Sequence, residues 1–290
     1  MEEKCLYYSS RGLLKSCDIF SSQPVSSTQF VTGYKFANCK KGQSVYVCTS
    51  ALRHFAETVL PNLPPIVLVS GDCDLTCWHS VFPSHAHFVQ FIENPTIRHW
   101  FVQNAVVQHP KLTQIPIGLD YHTMTTSRQW GPKMPPLEQE RVLLSVPQRP
   151  FWERRVACYS NFHFSMQTKY AFDRRDAVEK VPKELVFYEP AHTTRERSWN
   201  TQTQYAFVLS PHGNGLDCHR TWEALVLGCI PVVKTSPLDP LYAGLPVLIV
   251  QDWSRVTKTL LTETIAQFKN KTFQMEKLKL AHWVNQIRNA

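Results

Sequence analysis

The sequence has no run of about eighteen consecutive apolar residues, the length that a membrane-spanning helix needs. Its first ten residues, MEEKCLYYSS, carry acids where a secretory signal would carry basic residues before an apolar core. These absences predict a soluble, cytoplasmic protein with no signal peptide and no integral membrane segment.

The chain also lacks a long basic block, although 31 Lys and Arg against 23 acids give it a formal net charge of +8. Cations spread in this way favour phosphate-bearing ligands in general, and we expect no nucleic-acid partner. No internal repeat or low-complexity segment occurs. With 43% apolar and 19% charged residues, the 290-residue chain has the composition and length for one large or two medium α/β domains.

Paired Cys-x-x-Cys spacing is missing from the nine cysteines. An odd and scattered set favours buried free thiols in a reducing compartment over a disulfide framework. Cys73 and Cys77 have no second Cys or His pair at a zinc-finger spacing, so no structural zinc site is expected.

Residues 205–233, YAFVLSPHGNGLDCHRTWEALVLGCIPVV, combine a strand, a glycine loop, a helix and a second strand. Residues 205–209 form an apolar run of strand length, residues 211–215 are turn formers, and a helical pattern follows from Asp217 to Gly228. We expect Asp217 to cap the first turn of the helix and Gly228 to take the left-handed position after the last turn.

The predicted helix has one face for packing and another for a ligand. At about 100° per residue, the apolar residues around Trp222 gather on one side, while His219, Arg220 and Glu223 share another. A helix N-terminus reached through a glycine loop attracts anions through its backbone N–H groups and its dipole. Arg220 therefore suits a diphosphate, and Glu223, one turn deeper, suits the vicinal hydroxyls of a ribose. A solvated helix face in an ordinary βαβ unit is the alternative.

Three segments of this stretch resemble the nucleotide-sugar-binding region of exostosin-type glycosyltransferases, including short soluble forms encoded by large DNA viruses. They are residues 207–213 (FVLSPHG), 219–225 (HRTWEAL) and 228–233 (GCIPVV). The resemblance implies an α/β GT-B fold, in which two Rossmann-like domains with parallel sheets face a central cleft. It also implies sugar transfer from a nucleotide sugar with inversion at the anomeric carbon.

His212 departs from the family pattern, which usually has Arg in Ser-Pro-Arg-Gly. A neutral imidazole then replaces a fixed cation. Arg220 is left as the principal charge partner of the diphosphate.

Strands and helices alternate in the first half of the chain. Residues 45–48, 66–70, 99–104 and 112–117 are strand-like, and residues 51–60 are helical. The alternation predicts a doubly wound parallel sheet with ligands beyond the carboxyl ends of its strands. Residues 1–42 show no clear element and are expected to wrap this domain. The polar residues expected at one rim are Asp72, Asp74, Gln103, Asn104, Asp120 and His122.

Asp72 and Asp74 follow one of these strands as Asp-x-Asp. Glycosyltransferases of the other major architecture use such a pair to hold a divalent metal against a sugar diphosphate. Because the second half contains a better donor-sugar site, a loop or catalytic carboxylate is favoured over a metal ligand. Capping of the following turn by Asp72 is a further alternative.

Residues 118–123, GLDYHT, place a carboxylate and an imidazole together. Asp120 and His122 suit a general base, or part of an acceptor-sugar pocket beside Tyr121. A turn capped by Asp120 is the alternative.

Residues 125–136, TTSRQWGPKMPP, are dense in turn formers and predict a domain boundary. The predicted domains are residues 1–136, for the acceptor, and residues 137–274, for the nucleotide sugar, with a helix in 275–290 crossing back to the first. In the second domain, residues 155–160, 185–188 and 246–250 are strand-like, and residues 137–142, 168–181 and 254–268 are helical.

Loops at strand ends of the second domain complete the predicted donor site. Asn161 is expected to touch phosphate, and residues 189–192 to border the base. Arg174 either reaches a phosphate from the following helix or lies on a solvated face. The predicted donor-binding set is Asn161, Arg174, Ser210, His212, Gly213, Asn214, Gly215, His219, Arg220, Thr221 and Glu223.

The sequence therefore predicts an inverting glycosyltransferase without an obligatory metal or other cofactor. The donor is expected to be a UDP-sugar, with xylose chosen from the family's range, and the acceptor a hydroxyl of an oligosaccharide or glycoprotein glycan. Alternatives are a retaining transferase or phosphorylase on the same scaffold, and a protein that binds a nucleotide or glycan without turnover. The expected base is Asp72 or Asp74 with Asp120 in reserve, and the expected acceptor contacts are Gln103, Asn104, Tyr121 and His122.

Overall fold

The computed structural model describes residues 1–20, 36–162, 170–190 and 193–290. Several predicted features lie outside these residues: residues 21–35 of the N-terminal wrap, the first residues of the helix predicted over 168–181, and the end of the loop 189–192. All nine cysteines lie inside the described ranges and carry free thiols.

The chain divides into two compact units. The first unit comprises Glu2–Ile117 and Lys279–Ala290, and the second comprises Gly118–Leu278. Residues 118–136, which the sequence analysis assigned to the first domain, thus pack within the second unit, while the last helix groups with the first. The division into independently folding domains at residues 136 and 274 stays a prediction.

The first unit contains a four-stranded parallel sheet in the order β1-β2-β3-β4. Every residue of β1 and β2 is buried, as expected for parallel strands covered on both faces. In the core, the indole Nε1 of Trp100 donates to Ser70 Oγ at 2.8 Å, so this buried polar pair is satisfied. The elements are α1 (Ser10–Leu14), β1 (Ser44–Cys48), α2 (Leu52–Thr58), β2 (Ile66–Gly71), α3 (His85–Ile92), β3 (Ile97–Gln103), β4 (Leu112–Ile115) and α10 (Leu280–Arg288).

The second unit contains a five-stranded parallel sheet in the order β6-β5-β7-β8-β9. Its central strand, β7, is buried at every position. The elements are α4 (His122–Thr126), α5 (Pro136–Ser145), β5 (Arg155–Ser160), α6 (Phe172–Lys180), β6 (Val186–Tyr188), α7 (Arg195–Gln202), β7 (Tyr205–Leu209), α8 (His219–Val226), β8 (Ile230–Lys234), β9 (Leu248–Val250) and α9 (Lys258–Lys269).

Two parallel sheets with connecting helices confirm the predicted α/β class and its two Rossmann-like units. The pairings are parallel throughout, from Cys48 beside Gly71 in the first sheet to Leu209 beside Val232 in the second. In the described part of the chain, no helix combines the length and the apolar character needed to cross a bilayer.

Several elements differ from the sequence-based expectation, among them the short helices α1 and α4, which were not predicted. Helix α3 was not predicted; Ser84 begins it by accepting a hydrogen bond from the backbone N–H of His87. The helix predicted over residues 254–268 begins only at Lys258, because Thr257 accepts a hydrogen bond from the N–H of Leu260 and so caps the helix there.

Candidate functional site

The N-terminus of α8 lies beyond the carboxyl end of β7, as the sequence predicted. Gly228 has φ of +69° and takes the expected left-handed position after the helix. The prediction that Asp217 is the capping residue is wrong, because it lies one residue before the N-cap position of α8. Its carboxylate accepts hydrogen bonds from the backbone N–H of Cys218 at 2.9 Å and from the indole Nε1 of Trp222 at 2.9 and 2.8 Å. Cys218 occupies the N-cap position and makes no side-chain cap hydrogen bond. The side chain of the N-cap residue therefore does not occupy the first-turn N–H groups, and such a helix end can accept an anion.

Two guanidinium groups lie at this end of α8. Arg220 donates from Nη1 to the carbonyl of Pro211 at 3.1 Å and to Ser210 Oγ at 3.4 Å. Arg174 of α6 donates from Nε to the carbonyl of His212 at 3.1 Å. The Cζ atoms of Arg220 and Arg174 lie 5.3 and 5.7 Å from the centroid of the Phe162 ring. The two cations thus share one aromatic ring beside the glycine loop.

The electrostatics of this pair favour a bound anion. Burial, followed by the charge of Arg220, lowers the pKa of Arg174 to about 10. Burial also lowers the pKa of Arg220. Two like charges that have lost solvent are stabilised when a negative group comes between them.

Gly213 is required by the close approach of side chains. A Cβ atom there would lie 2.8 Å from Nη2 of Arg174 and 3.0 Å from Sγ of Cys218. The backbone N–H of Gly213 donates to the carbonyl of Gly215 at 3.1 Å and closes the loop, while Asn214 is exposed at its tip. A larger residue at 213 would displace the guanidinium of Arg174.

His212 stabilises this loop through two hydrogen bonds. Its Nδ1 lies 2.8 Å from the carbonyl oxygen of Leu216, so Nδ1 carries the proton and donates it. Its backbone N–H donates to Asp173 at 2.9 Å. The second cation at the helix end is therefore supplied by Arg174 rather than by position 212.

Glu223 belongs to a buried polar network one turn further along α8. Its Oε1 lies 3.4 Å from Nη2 of Arg195, and its Oε2 accepts from the indole of Trp199 at 3.4 Å. Arg195 also pairs with Asp120, Nη2 to Oδ2, at 3.1 Å, and its side chain is only 10% exposed. Burial opposes the charge of Arg195, but the carboxylates of Glu223 and Asp120 raise its pKa overall. Sequence patterns indicated neither Arg195 nor Trp199.

Asp120 lies between Arg195 and two histidines. His122 Nδ1 is 3.1 Å from Asp120 Oδ1, and the rings of His122 and His219 have centroids 5.6 Å apart. Burial favours the neutral acid, yet His219, Arg195 and His122 hold the pKa of Asp120 well below its usual range. Asp120 is therefore ionised at neutral pH and makes a weak base.

The remaining predicted residues of the second unit have diverse environments. Ser210 and Thr221 are buried and joined through their hydroxyls at 2.8 Å, whereas Asn161 is exposed after β5. Tyr121 is 2% exposed, and its hydroxyl donates to Glu140 at 2.7 Å. Its ring is part of the interior and offers no surface for stacking a sugar.

In the first unit, the loop after β2 is held by residues at the end of β3. Gln103 accepts a hydrogen bond from the N–H of Asp72 at 3.2 Å. The side-chain amides of Gln103 and Asn104 donate to the carbonyl of Cys73 at 3.3 and 3.2 Å. Asp72 and Asn104 have φ of +51° and +55°, a conformation that costs non-glycine residues about 1–3 kcal/mol. Of the six polar residues predicted at one rim, these three lie together. Asp120 and His122 belong to the second unit, so the prediction that they share this rim is wrong.

The two acids of Asp-x-Asp have different surroundings. Asp72 Oδ1 lies 3.6 Å from Nε of Arg11 and 3.5 Å from Oγ of Ser10, and its side chain is 11% exposed. Asp74 is exposed. Arg11 and Ser10 come from a segment in which the sequence indicated no element, so their part in this site was not predictable.

No protein-family model matches the chain, and no curated protein matches it in sequence. The fold is similar to a solved structure of trehalose-6-phosphate from E. coli bound with UDP-2-fluoro glucose, with 9% identity and a TM-score of 0.38 over 86% of this chain and 70% of that one. It is also similar to an alpha,alpha-trehalose-phosphate synthase (UDP-forming) from Burkholderia vietnamiensis, with 11% identity and a TM-score of 0.37 over 87% and 72%. Identities of 9% and 11% with TM-scores of 0.38 and 0.37 do not indicate the function of this chain, so a functional assignment depends on the geometry of its site.

Proposed function

We propose that the protein is a glycosyltransferase that uses a nucleotide sugar and binds the diphosphate of its donor at the N-terminus of α8. The observation that carries this proposal is the pair Arg174 and Arg220. Their Cζ atoms lie 5.7 and 5.3 Å from the centroid of the Phe162 ring, at a helix end where the N-cap residue Cys218 makes no side-chain cap hydrogen bond. The helix dipole, the backbone N–H groups and the two cations, Arg174 buried and Arg220 half-buried, all favour a group with the charge of a diphosphate.

The same two arginines supply the catalytic electrostatics in this proposal. Negative charge grows on the diphosphate as the bond to the sugar breaks. Fixed guanidinium groups in a site with little solvent stabilise that charge without reorganising, so the step needs no obligatory metal. Glu223 holds the ribose hydroxyls, with its carboxylate oriented by Arg195 and Trp199.

We assign the base that deprotonates the acceptor hydroxyl to Asp72 or Asp74 rather than to Asp120. An efficient base has a pKa close to the working pH, and Asp120 is held far below it by Arg195 and the histidines. The backbone conformation of Asp72, stabilised by Gln103, is of the kind found at functional sites.

The finer features of the proposal follow the exostosin resemblance. They are the GT-B fold, inversion at the anomeric carbon, a UDP-sugar with xylose as the first candidate, and a glycan hydroxyl as acceptor. A retaining transferase would give the opposite anomer of the product, which NMR of the product distinguishes.

Paired binding and turnover measurements test the proposal. Arg220→Ala should weaken UDP binding at least about 10-fold in calorimetry, since a charge-assisted contact contributes about 1.5–3 kcal/mol. Asp72→Asn or Asp74→Asn should leave UDP binding unchanged and reduce transfer at least about 100-fold, the usual contribution of a general base. Full transfer activity in both carboxylate variants would contradict the assignment of the base. UDP binding without transfer or donor hydrolysis in the unaltered protein would favour a binding protein.

A further inference from the structure

Three side chains of the second unit bring potential metal ligands together. They are Asp120, in the loop before α4, His122, the first residue of α4, and His219, the first residue of α8. One ligand atom from each lies within 4.8 Å of the other two. Asp120 is buried, while both histidines are half-buried, so an ion could enter from solvent. The sequence had suggested a base or an acceptor contact here and no metal.

His219 makes a hydrogen bond of the kind that metal-binding histidines make. Its Nδ1 lies 2.7 Å from the carbonyl oxygen of Gly118. Because a carbonyl only accepts hydrogen bonds, Nδ1 carries the proton and the neutral ring has its lone pair on Nε2. Metal-bound histidines commonly donate their second ring N–H to a carbonyl or carboxylate in this way, which fixes both the tautomer and the ring orientation.

The spacing of the other two ligands also suits a metal. Two ligand atoms about 2.0–2.1 Å from a tetrahedral zinc ion lie about 3.3 Å apart. Asp120 Oδ1 and His122 Nδ1 are 3.1 Å apart. The carboxylate is held by outer contacts, since Arg195 lies 3.1 Å from Oδ2 and the N–H of Thr123 donates to Oδ1 at 2.9 Å. Such contacts orient a ligating carboxylate.

We propose that Asp120, His122 and His219 bind a divalent transition metal such as Zn²⁺, Co²⁺ or Ni²⁺. Two imidazoles and one carboxylate match the preference of these ions, whereas Mg²⁺ and Ca²⁺ prefer sites built from oxygen atoms. Three protein ligands leave at least one coordination position for solvent. The glycosyl transfer step proposed above does not use this ion, and the metal site stands independently of it.

Cobalt binding to the purified 290-residue chain tests the site. We expect one Co²⁺ per chain by calorimetry. His122→Ala and His219→Ala should each bind Co²⁺ at least about 10-fold more weakly, because even the loss of a residue that only hydrogen-bonds to a ligand lowers metal affinity by about 10-fold or more. His54→Ala, a histidine substitution on α2 of the first unit, is the matched control and should bind as the unaltered protein does. MgCl₂ should give no binding. The Co²⁺ spectrum should lack a thiolate charge-transfer band, which excludes the nine free cysteines as ligands.

A second measurement uses the unaltered protein and remains decisive if a variant fails to fold. ZnCl₂ should protect His122 and His219 from diethyl pyrocarbonate, with modification mapped by mass spectrometry, and should leave His54 reactive. Equal protection of all three, no protection of the pair, a thiolate band, or unchanged binding in both variants would overturn the proposal. None of these readouts depends on enzyme activity. The metal site can therefore be disproved while the proposed glycosyltransferase function stands, and the reverse also holds.

Discussion

At the scale of single residues, Arg195 has the most consequential position in the second unit. It is the shared partner of two buried carboxylates, Asp120 in the loop before α4 and Glu223 on α8. The pairing with Asp120 joins residues 75 positions apart. No local pattern in the sequence reports such a contact, which is why sequence analysis selected both acids and missed the cation between them.

Arg195→Ala should lower the free energy of unfolding by about 3–5 kcal/mol, because it leaves two buried carboxylates without their cation. Chemical denaturation at neutral pH measures the change. Arg197→Ala, an exposed arginine on the same helix, is the control and should stay within about 0.5 kcal/mol. A loss in Arg195→Ala no larger than that of the control would contradict the network.

Asp120 makes the stability dependent on pH. Its pKa is lower in the folded protein than in the unfolded chain, so its contribution is complete above the ordinary carboxyl pKa of about 4 and is lost as pH falls below that value. The difference in unfolding free energy between the unaltered protein and Asp120→Asn should therefore be constant from pH 7 to about pH 5 and shrink below about pH 4. Urea unfolding across this range measures it. A difference that does not shrink in acid would show that Asp120 is not held ionised by its neighbours.

At the scale of elements, the sequence predicted best where local periodicity and turn chemistry agree. The apolar run of β7, the helical pattern of α8 and the left-handed Gly228 lie within a few residues of one another, and each was observed. Helix α3 was missed because it has only eight residues, HAHFVQFI, including two histidines of modest helix propensity. The apolar positions Phe88, Phe91 and Ile92 do follow a helical spacing, but the run is too short to distinguish from a strand.

The loop before α8 contains Gly213, and the structure explains why a glycine is needed there, because the neighbouring side chain of Arg174 is distant in sequence. Gly213→Ala should displace Arg174, because the added Cβ would lie 2.8 Å from its Nη2. We expect UDP to bind at least about 10-fold more weakly, as for the loss of one charge-assisted contact. Calorimetry measures the change, and Asn214→Ala at the exposed tip of the same loop is the control, with binding unchanged. Equal affinities for Gly213→Ala and the unaltered protein would show that Arg174 does not contact the nucleotide.

At the scale of the whole molecule, the alternation of strands and helices was sufficient to predict two parallel sheets. Each sheet has polar residues at the carboxyl ends of its strands, but they differ in kind. The second unit has cations at a helix end, Arg174 and Arg220, and the first has carboxylates, Asp72 and Asp74.

The most direct test of the central claim is calorimetric titration of the protein with UDP and a panel of UDP-sugars, beside uridine alone. If the diphosphate binds at the N-terminus of α8, UDP and at least one UDP-sugar should bind with one site per chain. Uridine should bind far more weakly than UDP. In Arg220→Ala, the affinities for UDP and uridine should become nearly equal. Failure of every nucleoside diphosphate and UDP-sugar to bind, or equal binding of UDP and uridine, would contradict the account.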